Sequence, residues 1–319
     1  MKNFLVILVI FGTGLLGLAF VAEYIITKRL QKSTSRMLVV WNEMYSGNLQ
    51  HDVLIMGGSR AWTQYSPQIL DSILGIDAYN LGIDGSHFNR QILRYDTYRR
   101  FNAKPKAIIQ NIDFATLGLT YGLEREQFFP YFFDDTLVMA SSTYEKFNIL
   151  EKYLPAYRYI GYSGIIQEGI KLAGDYANMK KGYSGVDRPW DGTFFRGVTG
   201  VDHGQDSLIL SLFDQYLAKA CSENIRVIFV HAPMYIGVTN KLKDVEGMFH
   251  MFDSFAQKYN IPILNYNYDP MSYDSLSFYN ATHLNRKSAE LFSVKLAHDI
   301  DSLGIFKFEK NSIKTNDNN

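Results

Sequence analysis

The fold of this chain is decided by the stretch Val53-Leu54-Ile55-Met56-Gly57-Gly58-Ser59-Arg60. Its four apolar residues predict a strand of a parallel sheet, in which both faces are buried. The two glycines permit a sharp turn out of that strand, so that Ser59 would present its hydroxyl at the start of the next helix. The stretch therefore predicts an α/β protein with a serine at its first strand-to-helix turn.

Downstream, apolar β-rich runs alternate with helical patterns, as they do in parallel sheets with helices on both faces. The predicted strands are 53–56, 78–81, 107–112, 226–230 and 262–265. The predicted helices are 67–74, 88–101, 207–222, 243–259 and 286–303. The sequence therefore predicts a doubly wound α/β domain over residues 50–305, built on a five-stranded parallel sheet.

The segment 114–204 interrupts this alternation. Its pattern is irregular and rich in aromatic residues, and it is too long for an ordinary connection between a strand and a helix. We predict a helical insertion that caps the site. Residues 31–49 are expected to be a linker, and residues 306–319, which lack an apolar face, are expected to be a flexible tail.

The composition is that of a folded protein with one large domain. The chain has 319 residues, 47% of them apolar, which is enough to bury one substantial core. Lys and Arg together number 32, as do Asp and Glu, and this balance argues against nucleic-acid binding. Cys221 is the only cysteine, and the histidines lack partners at ligand spacing, so neither a metal site nor another cofactor is predicted.

The amino terminus carries a segment without charge, from Phe4 to Ala22. Its length is close to the ~20 residues that span a hydrocarbon core as a helix. A cleaved signal peptide is the alternative, because Gly17-Leu18-Ala19 places small residues where a signal peptidase reads them. The apolar run is long for a signal peptide and continues into Tyr24-Ile25-Ile26, so residues 1–30 are predicted to be an uncleaved transmembrane anchor.

The orientation of this anchor depends on two opposed arguments. Lys28, Arg29, Lys32 and Arg36 follow the segment, whereas only Lys2 and the terminal amine precede it, so the positive-inside rule would keep the domain cytoplasmic. An amino-terminal anchor before one large domain is, however, the usual layout of exported membrane-tethered enzymes. We therefore predict a single-pass membrane protein with an extracytoplasmic, periplasmic domain, and a cytoplasmic domain is the alternative.

Candidate site residues follow the predicted strands, because ligands of doubly wound sheets bind at the carboxyl ends of the strands. Ser59 follows the first strand, and His283 precedes the last helix. A serine on a glycine turn and a histidine at such a position are two parts of a nucleophile–base pair, which indicates acyl chemistry. In the structural alternative, the glycine-serine turn is turn chemistry alone and backbone groups satisfy His283 at the helix start.

The stretches that contain these residues resemble the SGNH hydrolase family, also called GDSL-type lipases and esterases. More narrowly, they resemble membrane-anchored SGNH-like proteins associated with acylation of surface polysaccharides, and the resemblance covers residues 50–303. Gly57-Gly58-Ser59 is similar to the family's Gly-Asp-Ser block with glycine in the middle, which implies that Ser59 is the nucleophile. The implied fold is a flavodoxin-like, three-layer α/β/α arrangement around five parallel strands, in agreement with the pattern above.

Two further blocks carry the resemblance. Asn80-Leu81-Gly82-Ile83-Asp84-Gly85 is similar to the second block and implies that Gly85 is a backbone oxyanion donor; the Gly82 amide is a further candidate, since glycine amides can approach an oxyanion closely. Asn280-Ala281-Thr282-His283 is similar to the terminal Asp-x-x-His block, which implies that His283 is the general base. Asn280 replaces the family's aspartate, so it can orient the imidazole but cannot supply a full charge.

The family's third block, Gly-x-Asn-Asp, is missing. The equivalent stretch reads Asn111-Ile112-Asp113-Phe114, so it identifies no side-chain oxyanion donor, and Asn111 is a substitute only if the strand register presents it to the site. Asp113 could instead hold Arg60 through a charge-assisted hydrogen bond, which would keep the serine turn in place.

The resemblance implies a membrane-anchored serine esterase or O-acyltransferase that acts on acyl esters of cell-envelope glycans through an acyl-serine, without a cofactor. Water as the acceptor gives hydrolysis, and a sugar hydroxyl gives transfer. A membrane-bound O-acyltransferase is a partner that the resemblance suggests. Because Asn280 weakens the triad, the alternative is a catalytically degenerate scaffold that binds glycan or a membrane partner.

Overall fold

The computed structural model describes residues 1–85, 87–170, 179–192, 200 and 204–306. A five-stranded sheet lies at its centre. The strands are β1 (Val53–Met56), β2 (Ala78–Asn80), β3 (Ala107–Asn111), β4 (Arg226–His231) and β5 (Ile263–Asn265). All neighbours are parallel and lie in the order β2-β1-β3-β4-β5. This is the doubly wound, flavodoxin-like order, so the predicted fold class is confirmed.

Helices cover both faces of the sheet. Those in the described residues are α1 (Lys2–Leu30), α2 (Val39–Tyr45), α3 (Ser59–Gln64), α4 (Pro67–Leu74), α5 (Phe88–Phe101), α6 (Asp135–Ser141), α7 (Ile149–Tyr153), α8 (Ser163–Ile170), α9 (Ser207–Ser222), α10 (Ile236–Thr239), α11 (Val245–Tyr259) and α12 (Arg286–Ser302). Short 3-10 segments are Arg125–Tyr131, Tyr157–Tyr159, Pro270–Tyr273 and Ser275–Ser277. A separate antiparallel pair consists of β6 (Phe278–Asn280) and β7 (His283–Leu284).

Two apolar layers hold the helices against the sheet. In β1, Leu54 and Met56 belong to the layer with α5, α9 and α11, whereas Val53 and Ile55 belong to the layer with α3, α4 and α12. The alternation follows from the two-residue repeat of a strand. All four side chains are buried, which is why this strand appears in the sequence as a continuous apolar run.

Residues 31–49 do not form the predicted linker. They contain α2, and Leu38, Trp41 and Met44 are buried in the core of the domain. The Trp41 indole also donates a hydrogen bond of 2.9 Å to Gln127 Oε1. The segment is therefore part of the domain, because its apolar side chains have packing partners that are distant in the sequence.

The insertion at 114–204 has two described parts with different neighbours. The part from 125 to 170 packs mainly against α1 and α5. The part from 179 to 192 runs beside β2 and α3, where the Ser184 amide donates to the Trp62 carbonyl over 3.1 Å. Both described parts approach the site: Glu126 and Ile165 of the first part line the cavity next to α3, and the second part runs along α3 itself. The remainder of the predicted cap, residues 171–178, 193–199 and 201–203, lies outside the described residues.

The two termini differ. Helix α1 is long and apolar enough to cross a membrane by length and composition, and its side chains are almost all exposed until its final turns, which pack against the insertion. Of the predicted flexible tail, 306–319, only Phe306 is described. Its side chain is buried in the layer beside α12, so this residue belongs to the domain, and residues 307–319 lie outside the described residues.

Candidate active site

Ser59 is the first residue of α3 and follows the turn that leaves β1. Gly57 in this turn has a φ of +151°. A Cβ at position 57 would lie 2.6 Å from the Ala61 Cβ and 2.8 Å from the Asn111 Cβ, which is too close for any side chain. The glycine therefore lets the chain pass from a buried strand to the serine within two residues.

The Ser59 hydroxyl lies against His283. Its Oγ is 2.7 Å from His283 Nε2, and this approach is possible because β7 packs beside α3. The other ring nitrogen, Nδ1, is 2.9 Å from Asn280 Oδ1. The structure thus brings Ser59, His283 and Asn280 together in one hydrogen-bonded chain.

The tautomer of His283 follows from the orientation of Asn280. Asn280 Oδ1 accepts from the backbone amides of Thr282 (3.1 Å) and His283 (3.0 Å), so this oxygen is fixed towards the ring. Nδ1 therefore carries the proton and donates it, an assignment that rests on the hydrogen-bond pattern. Nε2 is then the acceptor for the Ser59 hydroxyl, which is the arrangement that a general base needs.

Tyr279 packs against one face of the His283 imidazole. The ring centroids of Tyr279 and His283 are 5.4 Å apart, and their planes are inclined by 20°. The Tyr279 carbonyl in turn accepts from the Asp191 amide of the insertion over 3.1 Å. Stacking and backbone pairing together restrict the ring to the orientation that reaches the serine.

His283 is neutral at physiological pH. Burial, with the positive charges of Arg60 and Arg36 as smaller causes, lowers the pKa of His283 to about 3. The neutral ring is free to take a proton, but the resulting imidazolium would stand near two cations and beside the Asn280 amide in place of a carboxylate. His283 would therefore hold a proton taken from the Ser59 hydroxyl only weakly.

Arg60 is buried behind the serine turn. Its Nη2 donates to the carbonyl of Ala232, the residue after β4. Nε and Nη1 have no hydrogen-bond partner among the residues that the structure describes. Burial lowers the pKa of Arg60, and the charge of Asp113 opposes this effect. Arg60 thus places a positive charge beneath the site while tying the serine turn to the end of β4.

The expected hydrogen bond between Asp113 and Arg60 is not formed. Within the described part of the chain, Asp113 accepts from Asn111 Nδ2 (3.2 Å), Thr116 Oγ1 (3.1 Å) and the Ala115 amide (3.1 Å). These partners are close in sequence and occupy the carboxylate within its own turn. Asp113 therefore acts on Arg60 through longer-range attraction only.

Asn111 does not have the position that an oxyanion donor needs. It pairs with Val230 in the sheet, and this register turns its side chain into the interior, where it is completely buried. Its Oδ1 accepts from the Tyr65 hydroxyl over 2.7 Å. The expectation that Asn111 replaces the missing donor is therefore wrong, because the strand register presents it to the core.

The backbone donors of the second block differ in availability. The Gly82 amide donates to Asn80 Oδ1 over 2.8 Å. Because this amide already has an acceptor, the expectation that Gly82 is an oxyanion donor is wrong. Gly85 has a φ of +83°, and its amide donates, within the described residues, to the exposed carboxylate of Asp84 over 3.1 Å. Gly85 and the amide of Ser59 at the helix start are therefore the candidate oxyanion donors.

A cavity of about 500 Å³ lies next to α3, between Trp62, the second block and the segment that follows α1, and its lining includes neither Ser59 nor His283. Its lining includes Arg36, Trp62 and Asp84. The Arg36 guanidinium lies 3.9 Å above the Trp62 ring and forms an ion pair with Asp84. Arg36 thus connects the residues after α1 to the wall of the cavity.

Sequence reasoning missed Arg36, Trp62 and Tyr279 as site residues. Tyr279 has a sequence signal, because an aromatic residue four positions before the histidine can stack on it within a tight strand pair. Arg36 has none, since its contact with Trp62 joins segments whose proximity only the fold reveals. Within the described residues, no group of three or more His, Cys, Asp or Glu side chains could hold a metal ion.

No protein-family model matches the chain, and a comparison with curated proteins gave no match. Among solved structures, one described as a lipolytic protein of the G-D-S-L family from Desulfitobacterium hafniense DCB-2 is 13% identical, with a TM-score of 0.37; the match covers 77% of this chain and 97% of that one. One described as an acylhydrolase from Bacteroides fragilis NCTC 9343 is 11% identical, with a TM-score of 0.38; the match covers 79% of this chain and 87% of that one. Similarity at this level leaves the function to be inferred from the site itself.

Proposed function

We propose that this protein is a membrane-anchored serine esterase or O-acyltransferase that works through an acyl-serine. The observation that supports it is the chain from Ser59 Oγ to His283 Nε2, at 2.7 Å, and from His283 Nδ1 to Asn280 Oδ1, at 2.9 Å. A nucleophile in contact with a base, and a base oriented by a third group, is the arrangement of covalent acyl transfer.

In the first half-reaction, Ser59 Oγ attacks the ester carbonyl carbon while His283 Nε2 takes the hydroxyl proton. The amides of Ser59 and Gly85 stabilise the negative carbonyl oxygen of the tetrahedral intermediate. When the intermediate collapses, the bond to the alcohol breaks, and His283 returns the proton to the departing oxygen. The product is an alcohol, and the acyl group stays on Ser59.

In the second half-reaction, the acceptor attacks the acyl-serine and gives its proton to His283. The second tetrahedral intermediate collapses, Ser59 Oγ leaves and recovers the proton, and the site returns to its starting state. Water as the acceptor releases an acid, and a sugar hydroxyl produces a new ester. The acceptor alone therefore decides between hydrolysis and transfer.

For the substrate, we propose acyl esters of cell-envelope glycans, with the domain outside the cytoplasm. The apolar helix α1 and the adjacent cavity support this choice. The cavity wall combines an aromatic ring with charged side chains, including Trp62, Arg36 and Glu126, and such groups suit a ligand rich in hydroxyls. A membrane-bound O-acyltransferase would be the partner that supplies or receives the acyl group.

A second candidate function is a degenerate scaffold that binds glycan or a membrane partner. The lowered pKa of His283 favours it, together with an asparagine in place of a charged third residue. In this case the Ser59–His283 contact would be retained without turnover. The two candidates differ in whether the serine reacts.

The test uses the full-length protein in lipid nanodiscs, with p-nitrophenyl acetate hydrolysis and fluorophosphonate labelling as readouts. Ser59→Ala should abolish both signals, whereas Ser302→Ala, at the exposed end of α12, should leave both unchanged. Serine-dependent turnover establishes the enzyme. A folded wild-type protein that neither turns over nor labels at Ser59 would favour the scaffold.

A further inference from the structure

The level of the membrane boundary can be placed on α1. The uncharged stretch from Phe4 to Ala22, at about 1.5 Å per helical residue, extends for roughly 28 Å, close to the thickness of a hydrocarbon core. Glu23 is the first charged residue after it. The boundary between acyl chains and headgroups therefore falls near Glu23 when α1 spans a bilayer.

At this level α1 is docked on the insertion. Glu23 forms an ion pair with Arg158, and its other carboxylate oxygen accepts from the Ala156 amide over 2.7 Å. One turn further, the hydroxyls of Thr27 and Tyr159 are 2.8 Å apart. These contacts fix residues 156–159 at the level of the boundary.

Exposed apolar side chains surround these docking contacts in the sequence. They are between 40% and 70% exposed and form what we call the α7 patch: Ile149, Leu150, Tyr153, Leu154 and Ile160. The other side of α7 is built for the protein interior, because Glu151 is buried and pairs with Arg125. The patch is therefore the outward face of an ordered element, and its neighbours in the chain are held at the membrane boundary.

We propose that the α7 patch inserts into the interface of the same bilayer that α1 spans. The inference rests on the membrane anchor of the proposed function and is independent of the catalytic chemistry. Burial of large apolar side chains in the interfacial region is favourable, and tyrosines such as Tyr24 and Tyr153 suit this depth. Lys28, whose ammonium donates to the neutral Gln31 side chain, lies nearby in the chain and can meet anionic headgroups, whereas Lys152 is already paired with Asp135.

A second attachment changes how the domain sits on the membrane. With α1 as the single attachment, the domain could change its orientation relative to the bilayer. A second attachment through the α7 patch would fix the tilt of the domain. The cavity next to Trp62 of α3 is lined in part by Arg36 of the segment after α1 and by Ile165 of α8, which packs on α1. The docked arrangement therefore holds the cavity wall close to the bilayer surface.

The experiment places an environment-sensitive fluorophore at single cysteines in the full-length protein. Cys221→Ser provides the background, because the chain has no other cysteine. The probe positions are Ile160→Cys and Tyr153→Cys in the patch, Leu8→Cys in the anchor, and Leu276→Cys as the exposed control far from α1 in the chain. Vesicles contain phosphatidylcholine and phosphatidylglycerol, with or without nitroxide-labelled lipid.

We expect blue-shifted emission at 160 and 153, with quenching by lipid nitroxide several-fold stronger than at 276. Quenching at Leu8→Cys with water-like emission at 160 and 153 would overturn the patch while the anchor stands, and would point to a protein partner for that surface. Absence of quenching at position 8 would overturn the anchor and the patch together. Hydrolysis of p-nitrophenyl acetate by the same preparations reports separately on the catalytic proposal.

Discussion

The Asn280 side chain contacts His283, the proposed base, through one oxygen atom, Oδ1. This oxygen orients the His283 ring and also accepts two backbone amides of its own turn. An aspartate could make the same hydrogen bonds and would add a negative charge beside the ring. Asn280 therefore orients the His283 ring as an aspartate would, but it supplies no negative charge to stabilise the imidazolium.

We expect Asn280→Asp to raise kcat for p-nitrophenyl acetate by roughly tenfold or more, because a carboxylate stabilises the imidazolium that forms during attack. Steady-state kinetics of the full-length protein measure the effect. Asn280→Ala is the matched control, and it should lower kcat because Nδ1 loses the Asn280 acceptor and keeps only the mobile Thr282 hydroxyl, 2.9 Å away. A folded Asn280→Asp protein no faster than the wild type would contradict this account of Asn280.

The pH dependence of kcat/KM should follow the pKa of His283. The folded value of about 3 lies below the ordinary one, so the base stays unprotonated in mild acid and activity is lost only as the pH falls towards that value. We expect a flat profile from about pH 8 to about pH 5, where an ordinary histidine would lose activity below about 6.5. A wild-type acid limb near 6.5 would refute the lowered pKa, and Asn280→Asp should shift the limb upwards.

The hydrogen-bonded residues Ser59, His283 and Asn280 were predictable because they belong to short local motifs. Ser59 follows a double glycine, and Asn280 and His283 share one tight turn, so each motif can be recognised without knowledge of the fold. Two predictions failed, one because a side chain points to the other face of its strand and one because a carboxylate has other hydrogen-bond donors. Asn111 faces the core because side chains alternate along a strand, and Asp113 is already occupied by its own turn.

At the scale of elements, the junction of β1 and α3 depends on Gly57. Its φ of +151° lies in a region that residues with a Cβ rarely adopt, and the space for a Cβ is filled by Ala61 and Asn111. Because this turn is short and tightly packed, the end of β1 fixes the position of Ser59. A change at Gly57 should affect stability and activity together.

We expect Gly57→Ala to lower the free energy of unfolding by about 2–4 kcal/mol, from backbone strain and overpacking. Urea unfolding and the rate with p-nitrophenyl acetate are the measurements. Gly75→Ala is the control, since Gly75 also has a positive φ, +65°, but a Cβ at position 75 would meet no atom within 4 Å; it should cost about 1–2 kcal/mol and keep activity. Equal losses in the two variants would argue against a special role for Gly57.

The sheet strands were predictable from their apolar runs, whereas α2 was not. Its Trp41 is buried by partners such as Gln127, which lie far along the chain, so nothing near residues 31–49 shows that this segment packs. The same reason hides the contact of Arg36 with Trp62. Local patterns specify elements, and long-range packing decides which segments become part of the domain.

At the scale of the whole molecule, the buried His231 and the half-buried His283 connect the site to stability. His231 ends β4, is completely buried, and packs its ring 5.0 Å from that of Phe249. Burial, with the charge of Arg60 as a smaller cause, holds the pKa of His231 well below its ordinary value. The unfolded chain binds protons at His231 and His283 below about pH 6.5, whereas the folded chain does not, so stability is lost as the pH falls through this range.

We expect the urea midpoint to be steady above about pH 7 and to fall between about pH 6.5 and 4.5. His231→Phe keeps an aromatic ring against Phe249 and removes one of the histidines whose pKa is lowered in the folded chain, so the slope of unfolding free energy against pH should fall by about one proton. Ring volume is nearly conserved, so the variant should fold. Identical slopes for the wild type and His231→Phe would contradict the buried, neutral state of His231.

The most direct measurement of the central claim is acyl-serine trapping. Full-length protein in nanodiscs is mixed with p-nitrophenyl acetate, quenched rapidly in acid and digested, and the modified peptide is identified by mass spectrometry. The account predicts an acetyl group on Ser59 that is absent in Ser59→Ala and strongly reduced in His283→Gln. A folded protein that hydrolyses the ester with no acetyl on Ser59, or with the same acetylation in His283→Gln, would contradict it.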